Sequence, residues 1–429
     1  MRSGSTLWYK LAALVLVLAL VVPVLAACGG DNKDETPTAQ PAATATPIAT
    51  PAAQPTAMPA PIAKPTPTPT VSNDPIKIGI LSTWSGPGAI SGTLVDAGVK
   101  VVDEQLAKKG GINVGGVIRP VKWIRYDDKM QVADNVAGYK KLVLEDKVSA
   151  VIIGGSTATC LTAASDSAEE NKVPLFSVGS TPADLSGRPY TIRAYYPNMS
   201  DVTKMVMNFV VNDLKPKTVG LLIMDTKETR DRGSQMKEIA NAAGIKVVYE
   251  QYVTQGTSDL SPFLTKIKYE NPDVLLADSG GVETFYVSMF KQMTELGGWG
   301  DIKLVSSSIA SSGSALKEKG AEGTYHWLMW NIGMDNPGNK QYVSDFKEVI
   351  GKDPTSTNTF PFYPLNVLIK SIEMAGSDDP TAIAKAARSG NLVWELAPSG
   401  PLKISPGGLS NNTGMMMQFK GGQLISVWK

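Results

Sequence analysis

Two rounds of alternation between short apolar runs and amphipathic stretches constrain this chain more than any other feature. The first opens with IKIGILS (residues 76–82) and the loop TWSGPGAISG, after which residues 93–108 place Leu94, Val95, Val99, Val101, Val102 and Leu106 on one helical face. VIRPVKWIRY, SAVIIGG and VPLFSVG read as further strands, with helices over 132–144 and 159–171. After TIRAYYPN the pattern starts again. Helices over 200–213, 231–243, 260–270 and 283–296 alternate with the strands KTVGLLIM, IKVVYEQYV, DVLLADS and IKLVSSS. Such alternation builds parallel sheets with helices on both faces. The expected fold is α/β, with two Rossmann-like lobes in tandem and a cleft between them. Ligands of open α/β sheets sit beyond the carboxyl ends of the strands, so the loops after these strands are the candidate site.

The residue inventory narrows the chemistry. Lys and Arg number 41 against 40 Asp and Glu, so no global basic field recruits nucleic acid or an anionic membrane. With Cys28, Cys160 and the single histidine His326, neither a Cys/His metal cluster nor a histidine-based triad can be assembled. No GxSxG elbow is present, and the glycines of KKGGINVGG precede neither GKS nor GKT, which leaves a turn between helix and strand as their explanation. No enzyme activity, catalytic residue, metal or cofactor is expected. His326 reads as structural, and Cys160 as a buried free thiol at the start of a helix.

The first 72 residues have a different character. Arg2 and Lys10 flank a polar start, an apolar run covers residues 11–22, and small residues lead to Cys28, which is the anatomy of an export signal. LAAC (residues 25–28) resembles the bacterial lipobox, after which the cysteine becomes a lipidated N-terminus; an uncleaved membrane anchor is the competing reading. From Gly29 to Ser72 the chain is rich in Pro, Thr and Ala with almost no large apolar residues, the composition of a disordered leash. Stretched at ~3 Å per residue, such a leash reaches on the order of 100 Å.

Several separated segments resemble the type I periplasmic binding proteins, specifically the branched-chain amino acid (Leu/Ile/Val) binding family of ABC importers. They are IKIGILSTWSGPGAISG, KKGGINVGGVIRPVKWIRYDDK and AASDSAEENKVPLFSVGSTPADL, and the similarity runs from Ile76 to Lys429. The resemblance implies two lobes joined by three crossovers, placed near Arg193, Thr324 and Leu396. It divides the chain into a signal peptide (1–27), a lipid-anchored linker (28–72), an N-terminal lobe (75–193 plus 325–396) and a C-terminal lobe (194–324 plus 397–429). It further implies a monomeric, exported trap, lipid-anchored on the outer face of the cytoplasmic membrane, that closes on a small molecule and presents it to an ABC permease and its ATPase. A tethered sensor for a signalling system has the same fold and is the alternative.

The family's pattern also points to residues. In GGSTATCLTAASD, Ser156, Thr157 and Thr159 set hydroxyls and backbone N–H groups at a helix N-terminus, an arrangement suited to a carboxylate and equally to plain capping. The family's carboxylate-binding Ser/Thr aligns with Ala158 or Thr159, and its next ligand segment with Gly179 and Thr181. Arg230 stands where the family carries an aromatic residue, and is either a carboxylate partner or an exposed charge paired with Glu228 or Asp231. No acid follows the strand that ends at SSSIASS, where Ser306 lies, so an α-ammonium loses its main partner there; Asp278 is a replacement from a neighbouring strand, or a helix cap. The family's stacking aromatic falls on Ser91, while Trp84 lies earlier in that loop. Trp84, Phe362 and Tyr363 are apolar walls or core packing. The expected ligand is a small carboxylate, aromatic or aliphatic, with branched-chain or related amino acids next.

Overall fold

The computed structural model describes residues 70–154, 157–178, 185, 187–307 and 313–428. The signal, Cys28 and most of the linker lie outside these residues. The described chain runs β1 (Thr70–Val71), β2 (Ile76–Ser82), α1 (Ile90–Ala107), β3 (Ile112–Val114), β4 (Val117–Arg119), β5 (Val121–Asp127), α2 (Val132–Lys140), β6 (Ala150–Gly154), α3 (Ala158–Asn171), β7 (Leu175–Ser177) and β8 (Thr191–Arg193). It continues α4 (Met199–Phe209), β9 (Thr218–Met224), α5 (Lys227–Ala242), β10 (Lys246–Val253), α6 (Ser261–Glu270), β11 (Val274–Asp278), α7 (Glu283–Glu295), β12 (Lys303–Ser306) and β13 (Tyr325–Leu328). Helices α8 (Pro337–Ile350), α9 (Ser356–Ala375) and α10 (Pro380–Ala387) then precede β14 (Val393–Trp394), β15 (Leu402–Lys403), β16 (Met415–Lys420) and β17 (Gln423–Trp428).

Two sheets carry the fold. The first is parallel, in the order β5-β2-β6-β7-β8; the second runs β10-β9-β11-β12-β13-β16-β17, parallel as far as β13 and antiparallel after it. Period-two alternation explains why the inner strands β2, β6, β9 and β11 are nearly all apolar: successive residues feed opposite cores. Ile78, Ile80, Ile152 and Phe176 face the helices α1 and α9, while Leu81, Val151, Ile153 and Leu175 pack with Tyr139, Leu142 and Leu161 on the other face. In the second sheet Leu221 and Ile223 meet α4 and α5, and Leu222, Leu275 and Ala277 meet α6 and α7. Fully burying each such Val, Leu or Ile stabilises by about 1.5–3 kcal/mol.

The glycines of KKGGINVGG shape the β3–β4 hairpin. Gly111 has φ +135°, and a Cβ there would lie 2.4 Å from the Arg119 carbonyl oxygen, so only glycine fits. Cys160 is buried and unpaired near the start of α3.

The crossovers differ from the sequence reading. The first follows Arg193, where β8 ends the first sheet. Tyr325–Leu328, assigned there to the N-terminal lobe, is hydrogen-bonded between β12 and β16, so the second crossover follows Leu328. The third lies beyond Ser410, not at Leu396: Leu402–Lys403 pairs with Val393–Trp394, and Leu409 bridges Arg193 in the first lobe. The apolar run YHWLM suits either sheet, and only partner choice decides between them. The crossings are bonded to each other. Arg193 N–H donates to the Gly408 carbonyl at 2.7 Å, Ser410 N–H to that of Arg193 at 3.0 Å, and the Trp327 indole to that of Thr413 at 2.7 Å. At Gly414, with φ +73°, a Cβ would stand 2.6 Å from both the Leu328 carbonyl oxygen and Trp327 Nε1. Tyr195, Phe360, Tyr363 and Trp394 stack edge to face or tilted beside these crossings, with centroids 4.7–5.3 Å apart along the chain of rings.

His326 sits in β13, fully buried. The Thr324 hydroxyl donates to the Ala321 carbonyl and so accepts from His326 Nε2 at 2.7 Å, while Nδ1 has no partner among the described residues. Burial pushes the imidazole pKa down to about 3 from 6.5. The neutral form is therefore favoured on folding, and its contribution to stability is complete above pH 6.5 and is lost as pH falls towards 3. Between pH 6.5 and 4.5 the wild type should lose about 2–3 kcal/mol more in urea unfolding than His326→Gln. Parallel pH profiles for the two proteins would contradict the assignment.

Candidate functional site

The carboxyl ends of the first sheet are knitted by two aspartates of the YDDK segment. Asp128, buried, accepts from Thr83 Oγ1 at 2.6 Å, Asn135 Nδ2 at 2.9 Å and Met130 N–H at 3.0 Å. Asp127 accepts from Trp84 N–H at 2.9 Å, Ser85 Oγ at 2.6 Å and Lys129 N–H at 3.1 Å. Burial opposes its charge, but these bonds hold the carboxyl below the usual range. Between them they support two successive left-handed non-glycine residues, Lys129 (φ 49°) and Met130 (φ 60°), a conformation that costs on the order of 1–2 kcal/mol per residue.

Trp84 is half-buried and fixed. Its ring lies against Gly92, and its indole N–H donates to Asp96 Oδ2 at 3.0 Å, while Asp96 Oδ1 takes Arg125 Nε at 2.8 Å. Thr157 is the N-cap of α3: its Oγ1 accepts from Cys160 N–H at 3.2 Å and lies 2.9 Å from Thr159 Oγ1. Ala158 is the first residue of that helix. Ser156, Gly179 and Thr181 lie outside the described residues. Phe362 and Tyr363 are buried, and Tyr363 bonds Ser399 Oγ at 2.6 Å, so both serve the packing beside the crossovers.

In the second lobe the structure reassigns three candidates. Helix α5 starts at Lys227, four residues before the expected position, because Thr226 and Thr229 form a reciprocal capping box. Arg230 therefore lies within the first turns, exposed, bidentate to Asp225 rather than to Glu228 or Asp231, with its guanidinium 4.5 Å from the Tyr252 ring centroid. Asp278 is also engaged. Arg232, two residues beyond Arg230 and thus on another face of the helix, donates to it from Nε at 2.6 Å and from Nη2 at 2.8 Å, and Gly280 N–H adds a bond at 2.8 Å. The Asp278 side chain is 0% exposed and that of Arg232 10%. Burial is the largest single influence and opposes both charges, but the opposite charge and the hydrogen bonds together outweigh it: the carboxyl is held below and the guanidinium above its ordinary pKa. Ser306 is buried and donates to Tyr286 Oη at 3.0 Å, which in turn donates to the Ala277 carbonyl at 3.1 Å.

The sequence reading missed Arg232. Its signal was the acid at the end of the buried strand LLAD, which demands a counter-charge, and the arginine spacing in RDR. It also missed Ser177 at the end of β7, Ser279 just past β11 and Asn412 in the third crossover. Ser177 Oγ, Ser279 Oγ and Asn412 Nδ2 are buried and have no partner among the described residues.

Paired α/β lobes with polar groups gathered at their strand ends are the arrangement of this chain. The sequence profile of the periplasmic binding protein family matches residues 75–423, and the chain belongs to that family. A Leu-, Ile-, Val-, Thr- and Ala-binding protein of Pseudomonas aeruginosa is 26% identical over 323 residues, spanning 74% of this chain and 83% of its own. Among solved structures, a Rhodopseudomonas palustris solute-binding protein of an ABC transporter, in complex with 4-hydroxybenzoate, superimposes with a TM-score of 0.67 at 21% identity, covering 83% of this chain and 96% of its own. A branched-chain amino acid transporter substrate-binding protein of Streptococcus pneumoniae, in complex with isoleucine, gives 0.68 at 20% identity, covering 83% and 100%.

Asp278→Asn leaves the Arg232 guanidinium buried without its counter-charge and should cost about 3–5 kcal/mol in urea unfolding. Arg230→Ala breaks only an exposed pair and should barely move the midpoint. Equal effects from the two substitutions would contradict the ranking.

Proposed function

We propose that this chain is the extracytoplasmic solute-binding component of an ABC importer, capturing a small carboxylate between its lobes and delivering it to a membrane permease. In this reading Cys28 carries a lipid, and a monomeric trap hangs on the linker from the outer face of the cytoplasmic membrane. The observation that carries the ligand class is the Arg232–Asp278 pair: the acid available to an α-ammonium from this wall is buried, and both its oxygens are taken by Arg232. An amino acid binding here would leave its ammonium without that partner, a costly loss in a water-poor cleft. Aromatic or aliphatic acids without an α-amine are therefore favoured, with branched-chain or related amino acids second. The relatives include proteins named for both ligand classes.

The partners proposed for the carboxylate are donors. Helix α3 begins at Ala158 with Thr157 as its N-cap, Ser156 precedes them in sequence, and an N-terminus of this kind favours an anion. Gly179 and Thr181 complete the first-lobe set, with Trp84 as an apolar wall. The Ser177 and Ser279 hydroxyls and the Asn412 amide join them, because a buried polar group left unpaired costs about 1–3 kcal/mol until a ligand or water meets it. Asp278, Ser306 and Arg230 are withdrawn as contacts, since each already has its partner.

Thermal denaturation with benzoate, 4-hydroxybenzoate, 3,4-dihydroxybenzoate, leucine, isoleucine and valine tests the ligand class. A carboxylate at ~100 times its Kd should stabilise the protein by about 2.7 kcal/mol. Shifts with the amino acids and none with the benzoates would refute the preference. In the same cells, Cys28→Ala should move the protein from the membrane to the soluble fraction, and retention on membranes would refute the anchor.

A further inference from the structure

The composition of the linker suggests that it ends at Ser72, but Thr70–Val71 is a strand of the folded body. It pairs in parallel with β4 and makes a small three-stranded sheet, β1-β4-β3. Thr70 N–H donates to the Gly116 carbonyl at 3.1 Å, Ser72 N–H to that of Ile118 at 2.9 Å and Ile76 N–H to that of Pro120 at 2.8 Å. A single side chain reinforces this ladder. Arg119, 14% exposed, donates from Nε to the Asp74 carbonyl at 3.0 Å, from Nη2 to Asp74 Oδ2 at 2.9 Å, and from Nη1 to Asp378 Oδ2 at 2.8 Å. One planar guanidinium thereby ties the segment entering the fold to the loop between α9 and α10, using the fork geometry that lysine lacks. On the far side of the hairpin, Gly115 packs against Gly376 at the end of α9.

The position of this joint matters as much as its bonds. It lies where β2 and β5 begin, whereas the candidate site lies where they end. The seven residues of β2, at ~3.3 Å each, put roughly 20 Å between the two. Every partner named above belongs to the first lobe, and none to the crossovers.

We infer that Thr70–Pro75 is a strand-addition joint that seats the incoming chain on the pole of the first lobe opposite the cleft. A pull from the N-terminal side passes into the β3–β4 hairpin and the α9–α10 loop, and by-passes the crossings about which the lobes would close. Only this consequence rests on the proposed trap. The joint itself is independent of any ligand, so its failure and that of the proposed function are distinguishable.

Hydrogen exchange of the full chain, followed amide by amide without ligand, tests the joint. Thr70 and Ser72 amides should exchange at least ~10-fold more slowly than unstructured amides in the wild type, and should lose that protection in Arg119→Gln. The amides of Arg193 and Ser410, which hold the crossovers together, should keep wild-type protection. Asp378→Asn, a milder change, should loosen the same two amides in part and serves if Arg119→Gln does not fold. Unprotected Thr70 and Ser72 in the wild type would overturn the inference, as would loss of protection at Arg193 and Ser410 in either variant.

Discussion

The hydrogen bonding among the three crossings is the constraint on which the rest of this molecule depends. Each sheet with its helices is a complete α/β layer, and nothing within one lobe dictates where the other stands. The registration comes from Arg193 bonded between Gly408 and Ser410, and from β13 leading into the second crossing while β16 receives the third. All three strands of chain are cross-bonded and backed by Tyr195, Tyr363 and Trp394, so they form one bonded seam rather than three separate linkers. In the proposed trap, a seam of that kind would let a lobe swing while opposing shear.

The strand-end acids are used to hold loops: Asp127 and Asp128 shape the β2 and β5 ends, and Asp278 anchors α5 through Arg232. Buried pairs of this type add little net stability against an apolar replacement, but breaking one is costly, so they act as positional locks. Their consequence for binding is direct. Among the described residues, the buried atoms without a partner include the Ser177 and Ser279 hydroxyls and the Asn412 amide N–H, groups able to donate to an anion.

Much of the architecture was legible because buried parallel strands are near-continuous apolar runs, and because the intervening helices keep their apolar residues on one face. The resemblance in IKIGILSTWSGPGAISG and YDDK then supplied the three crossovers that join the lobes. What stayed hidden depends on partners far apart in the chain. YHWLM reads equally well as the last strand of either lobe. Arg230 drew notice because it replaces an aromatic, but Thr226 and Thr229 start the helix early and turn that arginine outward, while Arg232 takes the buried acid. Ser306 looked available in SSSIASS, and is bonded to a tyrosine 20 residues away in sequence. Thr70–Val71 looked like more linker, because two residues of a Thr-rich tract carry no strand period of their own.

The central claim is that the cleft takes a small acid lacking an α-amine. Its most direct test is to isolate the protein from its native host without added ligand, denature it, and identify by mass spectrometry any small molecule released in stoichiometric amount. The account predicts a carboxylic acid without an amino group. Release of an amino acid, such as leucine or valine, would contradict it.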